Sequence, residues 1–117
     1  MLEIQQSHYT YKNGHTALNG IDLCIQPGDF FGLLGENGAG KTTLIGLLVG
    51  LLHQQTGNIL VAGHSLKQDP LQIRQLIGWV PQEFNFNNFQ TLERMLINNA
   101  GYFGISGSAA RARSEQL

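Results

Sequence analysis

The sequence is poor in the features that mark secreted, membrane-spanning and nucleic-acid-binding proteins. Its 117 residues include one cysteine, Cys24, which cannot form an internal disulfide and therefore fits a reducing compartment. We expect Cys24 to be a small buried residue of a strand. Charged residues make up 13% of the chain and the net charge is −1, so the basic excess that nucleic acid attracts is missing. No apolar run approaches the roughly 18 to 20 residues that a membrane span needs. These shortages predict a soluble cytoplasmic protein that binds no nucleic acid.

Apolar residues, by contrast, make up 42% of the chain, which is enough for one globular domain. The almost wholly apolar segment 30–34 is typical of a strand that is covered on both faces of a parallel sheet. Thr91 is a good N-cap for a helix, because its side chain can accept a hydrogen bond from the first turn. The predicted strands are 2–11, 20–25, 30–34, 58–62 and 78–80, and the predicted helices are 41 to about 52, 71–77 and one that begins after Thr91.

A glycine-rich loop carries the clearest chemical signal. It matches the pattern of a glycine, any four residues and then Gly-Lys-Thr, which cradles phosphate in nucleotide-binding proteins. Its glycines let the backbone approach a phosphate, and the positive end of the following helix adds attraction. We expect Lys41 to reach the β- and γ-phosphates as a catalytic residue and the Thr42 hydroxyl to bind Mg²⁺. The alternative is a glycine-rich turn without a ligand, which the position between an apolar strand and a helix disfavours. The predicted nucleotide-binding residues of the loop are Gly35, Glu36, Asn37, Gly38, Ala39, Gly40, Lys41, Thr42 and Thr43.

The residues around this loop resemble those of the ATP-binding cassette (ABC) proteins. The loop has a third internal glycine and paired hydroxyl residues, and the segments 11–14 (YKNG) and 17–21 (ALNGI) resemble the opening strand pair of that family. The resemblance implies that the ring of Tyr11 stacks on adenine, for which a flat aromatic ring offers a sequence-tolerant face. Without the loop, Tyr11 would be interpreted as a strand aromatic that packs on a core.

Further along, the segment 77–82 (IGWVPQ) resembles the glutamine loop of the same family. The resemblance implies that Gln82 contacts Mg²⁺ and the attacking water, as a metal-binding and catalytic residue. The alternative is a solvated loop glutamine. The segments 83–89 and 98–104 resemble bacterial exporters whose ATPase and membrane subunits are separate chains. We therefore expect the side chains of Phe84, Phe86 and Phe89 either to contact a coupling helix of the membrane subunit or to pack a helical subdomain onto the core.

Three motifs of the family do not occur in the sequence. They are the signature Leu-Ser-Gly-Gly-Gln, the apolar strand that ends in Asp-Glu, and the later switch histidine, since all four histidines come too early. Much of the constellation that positions ATP for phosphoryl transfer is therefore absent. We expect the chain to be the front part of a cassette domain that binds Mg-ATP weakly and hydrolyses it negligibly. A parallel strand edge and an apolar face should be left uncovered, which favours aggregation.

The sequence thus predicts an incomplete α/β domain, a phosphate-loop NTPase of the ABC type with N-terminal antiparallel strands and the start of a parallel core sheet. Residues 1–117 would form one domain, with the β-subdomain and loop core at about 1–90 and the start of the helical subdomain at about 91–117. The resemblance implies an ATP-binding subunit that, in its full-length form, hydrolyses ATP to drive export, with ATP and Mg²⁺ as cofactors. Its partners would be a membrane-spanning permease subunit and a second cassette, on the inner face of the cell membrane. Two alternatives stay open: a soluble cassette ATPase of translation or DNA repair, and a gene fragment without function.

Overall fold

The computed structural model describes residues 1–36, 38, 40–83 and 88–117, and these residues form two compact units, Met1–Ile73 and Arg74–Leu117. No helix in these ranges is long and apolar enough to cross a bilayer. The elements are β1 (Leu2–Thr10), β2 (Thr16–Ile25), α1 (Lys41–Leu48), β3 (Thr56–Val61), β4 (His64–Ser65), α2 (Pro70–Leu76), α3 (Leu92–Tyr102) and α4 (Gly107–Ser114).

The first unit is built on a four-stranded sheet in the order β2-β1-β3-β4, in which every pair of neighbours is antiparallel. β1 is an inner strand, and its Ile4 pairs with Leu23 of β2 on one side and Ile59 of β3 on the other. β3 passes into β4 through Ala62 and Gly63, whose φ angles of 48° and 82° are those of a two-residue type I′ turn. The antiparallel N-terminal strands that the sequence predicted are confirmed.

A bulge interrupts β1 before it reaches the loop that joins it to β2. Gln6 has a φ of 46°, and its N–H donates to Asp22 Oδ1 at 2.8 Å, while its side-chain amide donates to the other carboxylate oxygen. The ladder of hydrogen bonds is irregular at this point, and bulges bend the strand that carries them. The bend therefore sets the direction in which the last residues of β1 approach the hairpin loop.

The core of the first unit combines one face of the sheet with α1, which packs against β2. Ile59 and Ile73 have no solvent exposure, and Leu47 of α1 is 1% exposed. Burial of a side chain of this size contributes about 1.5–3 kcal/mol, so these contacts hold α1 against the sheet. The buried apolar side chains of the unit are Ile4, Leu18, Leu44, Leu47, Val49, Ile59, Leu66 and Ile73.

The segments 30–34 and 78–80, which the sequence predicted as strands, are not strands in the structure. Phe30 and Leu34 are 105% and 93% exposed, and Val80 is 81% exposed. A strand needs a partner for its N–H and C=O groups, and every strand pair in the described ranges belongs to the antiparallel sheet β1–β4. The predicted start of a parallel core sheet is therefore wrong for the described part of the chain.

Cys24 also differs from its expectation, because its side chain is exposed. It does lie in a strand, β2, but on the face that it shares with Asp22. Side chains two residues apart point to the same face of a sheet, so the neighbours Leu23 and Ile25 turn inward and Cys24 turns outward.

The second unit contains the last residues of α2, together with α3 and α4, which pack on each other. The predicted cap of α3 is confirmed: Thr91 Oγ1 accepts a hydrogen bond from the N–H of Arg94 at 3.3 Å. Ser106 caps α4 in the same way, through the N–H of Ala109 at 3.4 Å. α3 buries no residue fully.

Candidate functional site

The glycine-rich loop ends where α1 begins, at Gly40. This residue is the N-cap of α1, with a φ of 94° in the left-handed region, and no side chain caps the helix. The first intrahelical bond runs from Leu44 N–H to Gly40 O at 2.9 Å. The N–H groups of Lys41, Thr42 and Thr43 precede it and have no partner inside the helix. They stand at the positive end of α1, which suits the binding of an anion.

Two glycines of the loop have different surroundings. Gly40 is buried, and a Cβ there would lie 2.5 Å from the carbonyl oxygen of Ala17 and 2.9 Å from Leu18 Cδ2. Gly40 therefore docks the end of the loop directly on β2. Gly38 has a φ of 88°, and no atom of the described residues lies within 4 Å of the position of its Cβ. The loop is thus packed on the sheet at Gly40 and has open space beside Gly38.

The side chain of Lys41 folds back across the loop. Its ammonium group donates to the carbonyl oxygen of Gly35 and to that of Glu36, the latter at 3.1 Å. An ammonium group has three N–H donors, so the same group can also donate to a phosphate oxygen at the loop. Thr42, the next residue, is exposed.

Tyr11 reaches the first turn of α1 from the hairpin loop between β1 and β2. Its hydroxyl forms a hydrogen bond of 2.7 Å with Thr43 Oγ1. The hairpin loop is ordered by backbone bonds from Tyr11 N–H to His15 O (2.8 Å) and from Gly14 N–H to Tyr11 O (2.9 Å). The imidazole of His15 lies nearly parallel to the Tyr11 ring, at 14° and with centroids 6.4 Å apart. The structure therefore brings together Tyr11 and the phosphate loop, which are 24 residues or more apart in the sequence.

Gln55 supports this arrangement, although no pattern in the sequence indicates it. Its Oε1 accepts from the N–H of Thr10 at 2.8 Å, and its Nε2 donates to the carbonyl oxygen of Thr10, also at 2.8 Å. The side-chain amide thus replaces a neighbouring strand at the end of β1, directly before Tyr11. A glutamine between a helix and a strand belongs to no motif, and only the fold shows what it faces.

The remaining predicted residues lie elsewhere or outside the described ranges. Gln82 is an exposed loop residue of the second unit, and its role in metal binding and catalysis stays a prediction. Phe89 is 98% exposed. The predicted residues outside the described ranges are Asn37, Ala39, Phe84 and Phe86.

The second unit has a cavity of its own, of about 550 Å³. Trp79, Leu96 and Phe103 form part of its lining, and the guanidinium of Arg74 lies 5.2 Å from the centre of the Tyr102 ring. This apolar lining suits packing against another apolar surface more than it suits a phosphate. The loop in the first unit is therefore the better candidate for nucleotide binding.

Comparison with known proteins identifies the family. A sequence profile of the family described as ABC transporter matches residues 18–117. Nod factor export ATP-binding protein I of Burkholderia pseudomallei (strain 1710b) is 38% identical over 111 residues, which cover 95% of this chain and 36% of that protein. The phosphonates import ATP-binding protein PhnC of Alcaligenes faecalis is 36% identical over 110 residues, which cover 90% of this chain and 40% of that protein.

A solved structure described as the ATP binding subunit of an ABC transporter has the same fold, with a TM-score of 0.73 and 28% identity. The alignment covers 92% of this chain and 45% of that one, so the chain spans less than half the length of each of these relatives. The profile match includes the whole of the described loop and α1. The α/β fold with its antiparallel strands agrees with it, and the chain belongs to the ABC transporter family.

Proposed function

We propose that this chain is the front part of an ATP-binding subunit of an ABC transporter and that its first unit binds Mg-ATP. The observation that carries the proposal is the loop that Gly40 docks on β2, with Lys41 as the first residue of α1. That arrangement leaves one side of the loop and the first amides of the helix facing a potential ligand.

The residues fit a triphosphate. Backbone N–H groups of the loop and of the first turn of α1 would bind the β-phosphate, as amides at a helix start do in other phosphate sites. Lys41 Nζ, which donates to carbonyl oxygens of the loop, would donate to the β- and γ-phosphate oxygens. The exposed hydroxyl of Thr42 would bind Mg²⁺. When bound, this ion neutralises charge on the phosphates.

The base would stack on the ring of Tyr11. The support for this is the position of the ring beside the first turn of α1, where its hydroxyl meets Thr43. Stacking of a base on an aromatic side chain contributes about 1–3 kcal/mol. The ring thereby supplies the part of the affinity that distinguishes a nucleotide from a bare polyphosphate.

Hydrolysis belongs to the longer proteins of the family, and we propose that the 117-residue chain binds ATP without turning it over at a significant rate. Lys41 and Gln82 are the catalytic residues that the chain would contribute. The absence of the signature motif and of the Asp-Glu strand from the sequence supports the proposal, because phosphoryl transfer depends on positioning and charge stabilisation by many groups at once.

We further propose a permease subunit and a second cassette as partners, on the inner face of the cell membrane. The transport relatives support this over the soluble alternative in translation or DNA repair. Similarity does not set the direction of transport, since the exporter is 38% and the importer 36% identical. The proposal of export rests on the exporter-like segments 83–89 and 98–104.

Titration of the chain with a fluorescent ATP analogue, with and without Mg²⁺, tests the nucleotide site. Lys41→Ala should weaken binding about 10- to 100-fold, because a hydrogen bond to a charged group contributes about 1.5–3 kcal/mol. Lys67→Ala, which removes an exposed lysine outside the loop, is the matched control and should leave the affinity unchanged.

Equal affinities of Lys41→Ala and the unaltered chain would contradict the proposed site. A phosphate-release assay on the same samples tests the second part of the proposal. Steady release that disappears in Lys41→Ala would show that the chain hydrolyses ATP after all.

A further inference from the structure

We propose that the side-chain hydroxyl of Thr43 is a positioning group for the base, which it orients through Tyr11. The inference rests on the proposed function, because it assumes that the Tyr11 ring is the surface on which adenine stacks. The hydrogen bond between Thr43 Oγ1 and the Tyr11 hydroxyl is 2.7 Å long, the usual length for a good O–H···O bond. It ties the base-binding ring to the same helical turn that carries Lys41 and Thr42.

The burial of Thr43 favours this bond. Thr43 is 3% exposed, so its hydroxyl has little access to water. A buried hydroxyl without a partner is unfavourable, and among the described residues the partner of Thr43 Oγ1 is the hydroxyl of Tyr11, which is only partly buried. The limited access of the Thr43 hydroxyl to water therefore stabilises its hydrogen bond with Tyr11.

The bond fixes what the backbone leaves free. Bonds to the main chain of Tyr11 and Thr10 set the position of the hairpin loop, but they do not set the direction in which the Tyr11 side chain leaves the main chain. Tyr9 and His15 contact the ring of Tyr11, at centroid distances of 5.0 and 6.4 Å. Its hydroxyl is the atom that joins it to α1. A side chain already held in one direction loses less entropy when a base stacks on its ring.

The two neighbouring threonines, Thr42 and Thr43, therefore have different roles. The exposed Thr42 offers its hydroxyl to the metal ion, whereas the buried Thr43 directs its hydroxyl to Tyr11 and has its backbone N–H for the phosphates. The sequence alone predicted only that Thr43 belongs to the nucleotide site. Its side chain acts at the base end of that site and not at the phosphate end.

The test compares the affinities of the chain for Mg-ATP and for Mg-tripolyphosphate, which has no base, by titration calorimetry. Tyr11→Phe keeps the ring and removes the hydroxyl, and Thr43→Val removes the other half of the bond. Each should weaken ATP binding about three- to tenfold and leave tripolyphosphate binding unchanged. The double variant should be no weaker than either single variant, since both remove one bond. Thr43→Ser should retain the affinity for ATP, and Tyr9→Phe is the matched control.

Several results would overturn the inference. Equal loss of affinity for tripolyphosphate and for ATP in Thr43→Val would mean that the Thr43 hydroxyl is a phosphate ligand. Additive losses of ATP affinity in the double variant would mean that the two hydroxyls act independently of each other. If the unaltered chain binds both ligands and Tyr11→Phe binds ATP with the same affinity, the inference is wrong and the proposed function stands. An unaltered chain that binds neither ligand would remove both. Circular dichroism checks the fold of each variant, and Tyr11→Phe, at a partly exposed ring, decides the matter if Thr43→Val does not fold.

Discussion

Replacement of Gly40 with alanine should destabilise the first unit much more than replacement of Gly38, although the two residues have similar φ angles. Their φ angles are 94° and 88°, and an alanine in the left-handed region costs about 1–2 kcal/mol in either place. The surroundings differ. At Gly40 the new methyl group would lie 2.5 Å from the carbonyl oxygen of Ala17 and 2.9 Å from Leu18 Cδ2, whereas at Gly38 no described atom lies within 4 Å.

The magnitude follows from this close approach. Insertion of a methyl group into a packed site costs typically about 1–3 kcal/mol, and the oxygen of Ala17 belongs to the backbone of β2, so it cannot rotate away. Leu18 is itself a core residue, 3% exposed. We therefore expect Gly40→Ala to lose about 2–5 kcal/mol of free energy of unfolding and Gly38→Ala about 1–2 kcal/mol.

Urea unfolding monitored by far-ultraviolet circular dichroism measures both losses under the same conditions. The difference between the two variants isolates the contact with β2, because the backbone term is common to them. Equal losses would refute the reasoning, since they would mean that the end of the loop does not rest on β2 in solution.

Two further predictions concern contacts that hold single segments in place. Gln55→Leu removes both hydrogen bonds to Thr10 and should lower the free energy of unfolding by about 1–2 kcal/mol. Hydrogen exchange of the Thr10 amide should accelerate in this variant, whereas Gln72→Leu, at an exposed position, should leave the exchange rate unchanged. An unaltered exchange rate in Gln55→Leu would contradict the assignment of these bonds. Thr91→Ala removes the cap of α3 and should lower the free energy of unfolding by about 1 kcal/mol, with a loss of helical circular dichroism. Thr91→Ser keeps a hydroxyl and should retain most of this stability. Equal losses of stability in the two variants would show that the hydroxyl does not act as a cap.

The parts of the fold that the sequence predicted well are those with local causes. Thr91 caps α3 through an N–H three residues away, so the signal and its consequence lie in one short segment. The phosphate loop is similar, because its glycines, Lys41 and the start of α1 are consecutive. The start of α1 is confirmed at Lys41, although the helix ends at Leu48 rather than near Leu52.

What the sequence could not give depends on partners that are distant along the chain. The apolar segment 30–34 has the composition of a buried strand, but composition does not supply the neighbour to which a strand must pair. The bonds from Gln55 to Thr10 span 45 residues, and no pattern predicts them. Cys24 is different, since alternation with the charged Asp22 could have indicated its outward face.

The two halves of the phosphate loop are held by different means, and this bears on how tightly the chain can bind ATP. The end of the loop is fixed to β2 at Gly40, and the first turn of α1 is tied to the β1–β2 hairpin loop by the bond between Thr43 and Tyr11. The first residues of the loop, Gly35 and Glu36, follow the exposed segment 30–34. Among the described residues, they are held by hydrogen bonds from the ammonium group of Lys41 to their carbonyl oxygens. A triphosphate would draw the same ammonium group toward its own oxygens and weaken those ties. Affinity for ATP should therefore rise when another segment pairs with 30–34, because the first half of the loop would then be held without Lys41.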